Sequence, residues 1–288
     1  MMRLLQFCVV ICLTLTSAHL CAAQDFHVPE SSAAGDEATI STQGSGKATL
    51  YLVGPGISRK SEVTLGEDIQ LAPQDLRIAG DYLAILCSGT CHGESFYVTA
   101  AKPASLIFLV HPSRVPVAQG DAVSGVAFPF DQYRNLVLAP QRISFQFTAK
   151  DASLWSRASR TQDGVAWFRA ASGKSAGPVQ VTASLGDLTS RRALQQVASD
   201  PCNLRISGRR TRNGILVQTE PVHDCAGNPV SDGTIVTFTE TGANGTDTVD
   251  APIKQGIARS QLEGAGAASI SVASGVVMGN EIHVGAQP

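Results

Sequence analysis

The spacing of apolar residues constrains this fold more than any other feature of the sequence. Short segments such as 48–53, 143–148 and 179–183 carry an apolar residue at every second position, and turn residues separate them. This alternation is typical of half-buried β-strands, whereas an amphipathic helix requires a repeat of about 3.6 residues. Beyond the first 24 residues, only 73–78 is expected to form a helical turn. With 27 Gly and 14 Pro available for turns, the chain is predicted to be all-β.

A domain-sized internal repeat indicates how the strands are grouped. The stretch Asp131-Gln-Tyr-Arg-Asn135 resembles Asp224-Cys-Ala-Gly-Asn228, and each Asn is followed 10 positions later by a phenylalanine, Phe145 or Phe238. The two copies are offset by about 93 residues, and each has six or seven predicted strands. These numbers suit a two-sheet sandwich, in which Asn135 and Asn228 are expected to form turns.

The second copy of this repeat resembles a known family. The residues that carry the resemblance are Asp224, Gly227-Asn228-Pro229-Val230 and Asp232-Gly233-Thr-Ile-Val-Thr-Phe238. In these residues the copy resembles the bacterial immunoglobulin-like domains of the invasin/intimin (Big-1-like) type. The first copy resembles them more loosely, with Arg134 where Gly is common and no Pro after Asn135. The resemblance implies tandem immunoglobulin-like β-sandwich domains at or outside the cell envelope. In the shorter segment before them, Ala79-Gly80-Asp81-Tyr82 is similar to the approach to a tyrosine corner.

The N-terminus is typical of a secretory signal. Arg3 precedes an apolar run from residue 4 to about residue 16, and the small residues Ala22 and Ala23 follow. The run is shorter than the roughly 20 residues that span a bilayer, and no later segment is long and apolar enough, so we predict no transmembrane segment in the mature chain. A lipid anchor at Cys21 is an alternative, although the preceding Leu20 is bulky for one.

These features predict five segments. They are a signal peptide (1–23), a flexible leader rich in small and polar residues (24–45), a small immunoglobulin-like β domain (46–102), an immunoglobulin-like β-sandwich (103–199) and an invasin-type sandwich (200–288).

Four cysteines remain after Cys8, Cys12 and Cys21 are removed with the signal. An even number in an exported chain favours disulfides, and proximity pairs Cys87 with Cys91 and Cys202 with Cys225. Asn213-Gly214 is a strong two-residue hairpin signal, and a turn centred there would place Cys202 opposite Cys225, within bridging distance. The alternative for the first pair is a metal site that includes His92.

The sequence contains weak candidates for catalysis. Gly173-Lys-Ser175-Ala-Gly177 matches the Gly-x-Ser-x-Gly nucleophile pattern, which requires a strand, a sharp turn and a helix. Here the stretch lies between two predicted strands, so we interpret it as a loop and keep a secreted hydrolase that uses Ser175 as an alternative. The histidines after the signal are scattered and form no catalytic or metal-binding motif: His27, His92, His111, His223 and His283.

Some polar residues have both a structural and a binding interpretation. Arginines gather before the predicted hairpin turn, at Arg205, Arg209, Arg210 and Arg212. We interpret them as a solvated hairpin tip or a patch for an anionic glycan, because a net charge of -2 and export disfavour nucleic acid. Asp247 and Asp250 are calcium-ligand candidates without the regular loop spacing. Asn244-Gly-Thr246 fits a glycosylation sequon and indicates an exposed loop.

The two tryptophans receive different predictions. Trp167 falls in a predicted strand and is expected in the core. Trp155 falls in a predicted loop and is expected to pack on the sandwich edge, with a sugar-stacking platform as the alternative.

We therefore predict an exported, non-enzymatic interaction or spacer protein without a cofactor or metal. The protein would be located in the periplasm, at the cell surface or outside the cell. Its loops would contact a protein or glycan partner at the envelope. We expect no nucleic-acid partner. The alternatives are a carbohydrate-binding module, a subunit that donates a strand to a larger assembly, and the hydrolase.

Overall fold

The computed structural model describes residues 26–149 and 152–286, and of residues 152–154 it describes the backbone alone. The predicted signal peptide, with Cys8, Cys12 and Cys21, lies outside the described residues. Within them the chain is all-β, as the apolar alternation predicts, with a single 3-10 turn at Pro73–Asp75. No helix in this part of the chain is long and apolar enough to cross a membrane. The chain divides into two compact units between Thr99 and Ala100.

The first unit is a two-sheet sandwich. Its strands are Phe26–His27 (β1), Ser31–Ala33 (β2), Ala38–Thr42 (β3), Lys47–Gly54 (β4), Ile57–Thr64 (β5), Ile69–Leu71 (β6), Gly80–Ser88 (β7) and Thr90–Thr99 (β8). One sheet has the strand order β1-β3-β6 and the other has the order β2-β8-β7-β4-β5. Ile40 from the first sheet and Leu50 and Leu86 from the second are fully buried.

The prediction of a flexible leader over 24–45 is wrong for its described part, because residues 26–42 supply three strands of this sandwich. β3 pairs with β1 and β6, and β2 runs parallel to β8. Along β3, Ala38, Ile40 and Thr42 are buried, whereas the residues between them are exposed. A segment with few apolar residues forms a core strand here because only every second side chain faces the core.

Tyr82 on β7 forms the corner that the sequence resemblance implies. Its hydroxyl donates a hydrogen bond to the carbonyl oxygen of Ile78 at 3.0 Å, and its ring stacks on Phe96 with the ring centroids 5.5 Å apart. Burial is the main cause that raises the pKa of Tyr82; nearby Asp75 adds to the rise, and the bond to Ile78 opposes it. Gly54 lies against the ring, where a Cβ would come within 2.3 Å of it.

The second sandwich begins the second unit. Its strands are Ser105–His111 (β9), Arg114–Pro116 (β10), Val123–Phe130 (β11), Arg142–Ala149 (β12), Ala152–Arg160 (β13), Ala166–Ala170 (β14), Gly177–Leu185 (β15) and Leu188–Val197 (β16). One sheet has the order β14-β11-β9 and the other has the order β10-β16-β15-β12-β13. Four phenylalanines dominate the core: Phe108, Phe145, Phe147 and Phe168. The apolar alternation does not predict β13, because this edge strand consists largely of Ser, Ala and Arg.

The third sandwich follows in the same unit. Its strands are Pro201–Cys202 (β17), Ile206–Thr211 (β18), Gly214–Thr219 (β19), His223–Asp224 (β20), Ile235–Gly242 (β21), Gly245–Pro252 (β22), Arg259–Leu262 (β23), Ala268–Ser274 (β24), Val277–Met278 (β25) and Ile282–Val284 (β26). β18, β19 and β23 form one sheet, and a second is built on β22, β21 and β24. Phe238 is fully buried, like Phe145 in the other copy of the repeat. That the segments 103–199 and 200–288 fold as separate domains stays a prediction.

Both cysteine pairs form disulfides in this structure. Cys87 lies opposite Cys91 across the hairpin of β7 and β8, and the Cα atoms of Cys202 and Cys225 are 5.0 Å apart.

The predicted register behind the second disulfide is wrong by two residues. Thr211 pairs with Gly214, so the turn is Arg212-Asn213, and His223 is the residue opposite Cys202. The neighbouring strand β23 explains the glycine: the carbonyl oxygen of Leu262 would lie 1.9 Å from a Cβ on Gly214. Gly214 therefore permits close strand packing and does not mark the centre of the turn.

We expect peptide mapping of the unreduced mature chain to find Cys87 joined to Cys91 and Cys202 joined to Cys225. The register of β7 with β8 and of β17 with β20 brings each pair within bridging distance. Mass spectrometry of a digest prepared without reductant measures the links, and a reduced digest is the control. Free thiols at all four positions, or a link between Cys87 and Cys202, would contradict this expectation.

Candidate functional site

Two loops with the same hydrogen-bond pattern occupy equivalent places in the second and third sandwiches. In the second, Asp131 follows β11, and its Oδ1 accepts hydrogen bonds from the backbone N–H of Tyr133 at 2.9 Å and of Asn135 at 2.8 Å. Its Oδ2 accepts from the Asn135 side chain at 2.8 Å and from the N–H of Ala101 at 3.0 Å. The carboxylate thereby fixes the segment that enters the sandwich to this loop.

Asp224 repeats the pattern in the third sandwich. Its Oδ1 accepts from the N–H groups of Ala226 and Asn228, both at 2.9 Å, and its Oδ2 accepts from the N–H of Ser199 at 3.1 Å. Asp131 and Asp224 are only 2% and 4% exposed. Burial alone would raise the pKa of each carboxyl, but the hydrogen bonds from the loop outweigh it and lower both pKa values. Both groups are therefore ionised at neutral pH.

Asn228 also joins the third sandwich to the second. Its Oδ1 accepts a hydrogen bond from the N–H of Ala176 at 2.8 Å, and its Nδ2 donates to the carbonyl oxygen of Lys174 at 2.8 Å. Within the second sandwich, Gln196 on β16 donates to the carbonyl oxygen of Ser175, also at 2.8 Å. The turn role expected for Asn228 is thus accompanied by a junction, which sequence reasoning missed because the partners are 52 and 54 residues away.

The geometry around Ser175 does not support a nucleophile. Ser175 is exposed in the loop between β14 and β15, and no helix follows it. Among the described residues, no His or Asp side chain forms a hydrogen bond with its hydroxyl, whereas an activated serine requires a base within about 3 Å. The backbone of the loop instead serves the junction with Asn228.

The histidines do not converge on a site. His27 is 4.0 Å from Glu94, His92 contacts Thr90, and His223 contacts the carbonyl oxygen of Pro221. His111 and His283 lie on strands of different sandwiches, β9 and β26. Within residues 26–149 and 152–286 no three His, Cys, Asp or Glu side chains are grouped to hold a metal ion. The disulfide between Cys87 and Cys91 also removes the thiolates that a metal site with His92 would need.

The arginines near the third-sandwich hairpin do not form one patch. Arg210 donates hydrogen bonds to the carbonyl oxygens of Gly264, Gly266 and Gly285, so it has a structural role. Arg209 is the preceding residue on β18 and faces the other side of the strand. Arg205 precedes that strand, and Arg212 lies in the turn.

Asp247 and Asp250 are not arranged as calcium ligands. Both lie on β22, three positions apart, so their side chains leave opposite faces of the strand. Asp250 accepts a hydrogen bond from the Thr237 hydroxyl on β21 at 2.6 Å. Asn244 lies in the exposed turn between β21 and β22, where the sequon predicts an exposed loop.

The prediction for each tryptophan is wrong in one respect: Trp155 lies on an edge strand and not in a loop, and Trp167 lies on a strand as expected but not in the core. Trp155 lies on β13, where its ring stacks on Phe147 at a centroid distance of 5.9 Å and meets Phe168 edge-on at 5.0 Å. Its indole Nε1 is buried without a hydrogen-bond partner among the described residues. Trp167, expected in the core, is 63% exposed on β14.

Strand alternation explains why Trp167 is exposed. Its neighbours Ala166 and Phe168 are buried, so Trp167 and Arg169 must face outward. Arg169, two positions after Trp167, was the signal in the sequence that this phase of the strand faces solvent.

Trp167 belongs to an apolar surface on the outer side of the three-stranded sheet of the second sandwich. Trp167 pairs with Val126, and Val126 pairs with Leu109; in the next row Phe128 pairs with Ile107. Leu109 is 53% exposed and Ile107 is 45% exposed. These five residues are called the Trp167 face below. A contiguous exposed apolar surface of this kind is typical of an interaction site.

A polar cleft adjoins the Trp167 face. It lies between the edge strands β13 and β14, has a volume of about 690 Å³, and is lined by Trp167, Arg157, Arg160 and Arg169, among others. This volume is within the range of ligand-binding clefts, roughly 300–1,000 Å³. The opening is called the arginine cleft below.

Solved structures of bacterial adhesins share this fold. The Escherichia coli adhesin FdeC matches with a TM-score of 0.64 and 13% identity, over 92% of this chain and 97% of that chain. Yersinia pseudotuberculosis InvD has a TM-score of 0.51 and 10% identity, over 91% and 98%. Invasin, described as a bacterial integrin-binding protein, also has a TM-score of 0.51 and 10% identity, over 92% and 60%. The sequence matches no protein-family model, and no curated protein matches it.

These features define a class: the chain is built of tandem immunoglobulin-like β-sandwiches. More particularly, its fold is that of the bacterial invasin/intimin-type domains, so the resemblance indicated by residues 224–238 is confirmed for the fold.

The lowered pKa of Asp131 predicts an acid-sensitive second sandwich. Its carboxyl has a lower pKa when folded than its ordinary 3.8, so its stabilising effect is complete above that value and is lost as the pH falls below it. We expect Asp131→Asn to lower the free energy of unfolding by about 2 kcal/mol at pH 7 and to flatten the stability decline between about pH 5 and pH 3.

Urea titration followed by tryptophan fluorescence measures this locally, because Trp155 and Trp167 both lie in the second sandwich. Asp187→Asn, in the exposed turn between β15 and β16, is the matched control. A wild-type pH profile in Asp131→Asn would contradict the assignment.

The junction predicts protection of one peptide bond. Asn228 holds the carbonyl oxygen of Lys174, which is part of the Lys174–Ser175 bond that trypsin would cleave, and the N–H of Ala176 in the next peptide group. We expect Asn228→Ala to accelerate this cleavage roughly tenfold, because a more mobile loop fits a protease better. Mass spectrometry of a tryptic time course measures it, with Asn244→Ala as control. Equal cleavage rates in wild type and Asn228→Ala would show that these bonds do not hold the loop.

Proposed function

We propose that this chain is an exported, non-enzymatic interaction and spacer protein that acts in adhesion or assembly at the cell envelope or outside the cell. The observation that carries the proposal is the junction at Asn228. The Asn228 side chain accepts a hydrogen bond from one backbone group of the second sandwich and donates one to another, and the buried Asp224 carboxylate holds it in place. These bonds favour a fixed orientation of the two neighbouring sandwiches. A fixed orientation suits a protein that displays surfaces to a partner.

The fold supports the same proposal. FdeC is named an adhesin and invasin is named an integrin-binding protein, and this chain has their fold over most of its described length. The two disulfides favour an oxidising compartment, which agrees with the predicted signal peptide. The partner would be a protein or a glycan at the envelope.

The positions of the candidate catalytic residues also support a non-enzymatic role. Ser175 lies in a loop whose backbone is held by Asn228 and Gln196, and the described histidines are distributed over three sandwiches. A catalytic centre would need a nucleophile, a base and an orienting group within hydrogen-bond reach of one another.

Export can be tested by comparing the full chain with a variant that lacks residues 2–23, both expressed in a bacterium with a periplasm. We expect the full chain to leave the cytoplasm and to carry four oxidised cysteines, because the signal directs it to an oxidising compartment. The variant should stay in the cytoplasm with free thiols. Cell fractionation and a thiol-reactive mass tag measure both properties, and full chain found in the cytoplasm with free thiols would contradict the proposal.

An ester-hydrolysis assay tests the proposal that the protein is not an enzyme. The purified mature chain should hydrolyse p-nitrophenyl esters no faster than its Ser175→Ala variant. Ester hydrolysis that disappears in Ser175→Ala would favour the hydrolase alternative.

A further inference from the structure

The arginine cleft combines an exposed aromatic ring with positive charge. Trp167 lines both the cleft and the neighbouring apolar depression formed by Leu109 and Val126, so its indole lies where the apolar surface meets the arginines. Nothing in the fold requires a tryptophan here, because the core beneath β14 is filled by Phe168 and Ala166. An indole that is 63% exposed offers a flat apolar surface to a ligand.

The arginines of the cleft lack acidic partners. Arg157, Arg160 and Arg169 are exposed, and none forms an ion pair with a carboxylate among the described residues. Arg160 also pairs in register with Arg142 on β12, where two positive charges lie on the same face of neighbouring strands. Like charges in directly opposite positions are destabilising, and a bound anion would relieve this repulsion. Guanidinium groups bind carboxylate and sulfate-like anions through paired hydrogen bonds.

The remaining lining favours hydroxyl groups in the ligand. Ser159, Gln162, Asp121 and Asp163 line the same cleft. Carboxylate and amide oxygens accept hydrogen bonds from hydroxyls, and the serine hydroxyl and the amide nitrogen donate them. The three arginines that line the cleft outnumber its two aspartates, which leaves an excess of positive charge.

We propose that the arginine cleft binds an acidic glycan, whose sugar ring stacks on Trp167 while its carboxylate or sulfate groups contact Arg157, Arg160 and Arg169. A polyhydroxylated ring with an anionic substituent matches the aromatic surface, the mixed donors and acceptors, and the charge. An acidic peptide would match the arginines but would leave the hydroxyl partners in the cleft unused. This inference rests on the proposed function, since it names the class of partner that the displayed surface contacts.

The test uses the oxidised mature chain and three immobilised polysaccharides: heparin, which is sulfated, polygalacturonate, which is carboxylated, and dextran, which is neutral. We expect salt-sensitive binding to at least one acidic polysaccharide and none to dextran. Trp167→Ala and Arg160→Gln should each weaken this binding roughly tenfold. Biolayer interferometry measures the affinities, and acrylamide quenching of tryptophan fluorescence should fall when Trp167 is covered.

The control is Arg191→Gln with Arg192→Gln, which removes two exposed arginines of the same sandwich on β16. The affinity of this double variant for the acidic polysaccharide should stay within about twofold of wild type. If it lost as much affinity as Arg160→Gln, the binding would be non-specific charge attraction and the proposal would be overturned. Circular dichroism checks that each variant is folded; both Trp167 and Arg160 are exposed, so their replacement should leave the core intact.

Other results would also overturn the proposal. They are unchanged binding in Trp167→Ala, binding to dextran as tight as to the acidic polysaccharides, tighter binding to polyglutamate, or self-association of the chain that depends on Trp167. An exported chain that binds no acidic polysaccharide would exclude the cleft as a glycan site and leave the proposed function standing. A chain retained in the cytoplasm would contradict the proposed function whatever it binds.

Discussion

Each strand in this protein directs alternate side chains to opposite faces, and in a sandwich only one of those faces is covered by the partner sheet. Every buried residue on a strand therefore commits its neighbour to the outside. In β14, burial of Ala166 and Phe168 requires Trp167 and Arg169 to be exposed. In β3, burial of Ala38 and Ile40 is enough to bring a polar segment into the first sandwich. The same alternation therefore determines both the buried core and the exposed apolar face of this protein.

In the second and third sandwiches, a buried carboxylate holds the segment through which the chain enters the sandwich. The chain must enter each sandwich through a segment whose backbone N–H groups have no strand partner, and Asp131 and Asp224 accept hydrogen bonds from such groups. The cost of burying a charge is offset because each carboxylate accepts several hydrogen bonds from its own loop. The same loop then presents Asn228 to the preceding sandwich, so folding of the third sandwich and its orientation on the second are linked.

The Trp167 face and the arginine cleft both lie on the second sandwich. Its outer sheet face is apolar, its open side between β13 and β14 is lined by arginines, and Trp167 belongs to both. Loops at the ends of a sandwich serve many immunoglobulin-like proteins as contact sites. In this chain a sheet face and an open edge have the composition of a contact site, while the loop at Lys174 to Ala176 is engaged by the neighbouring sandwich.

The sequence by itself determined the fold class, because alternation, turn residues and the repeat at Asp131 and Asp224 are all local patterns. Proximity along the chain was enough to pair the cysteines as the structure does. The tertiary structure decided which phase of an ambiguous strand is buried, as at Trp167, and whether a polar segment joins a sheet, as at residues 26–42. It alone decided the register of the hairpin at Gly214, which depends on close packing against Leu262, 48 positions further along the chain. The Asn228 junction was beyond sequence reasoning because its partners lie 52 and 54 residues away in the chain. The arginine cleft is formed mostly by residues within 157–169, but it could not be predicted because the exposed phase of β14 was decided only by the tertiary structure.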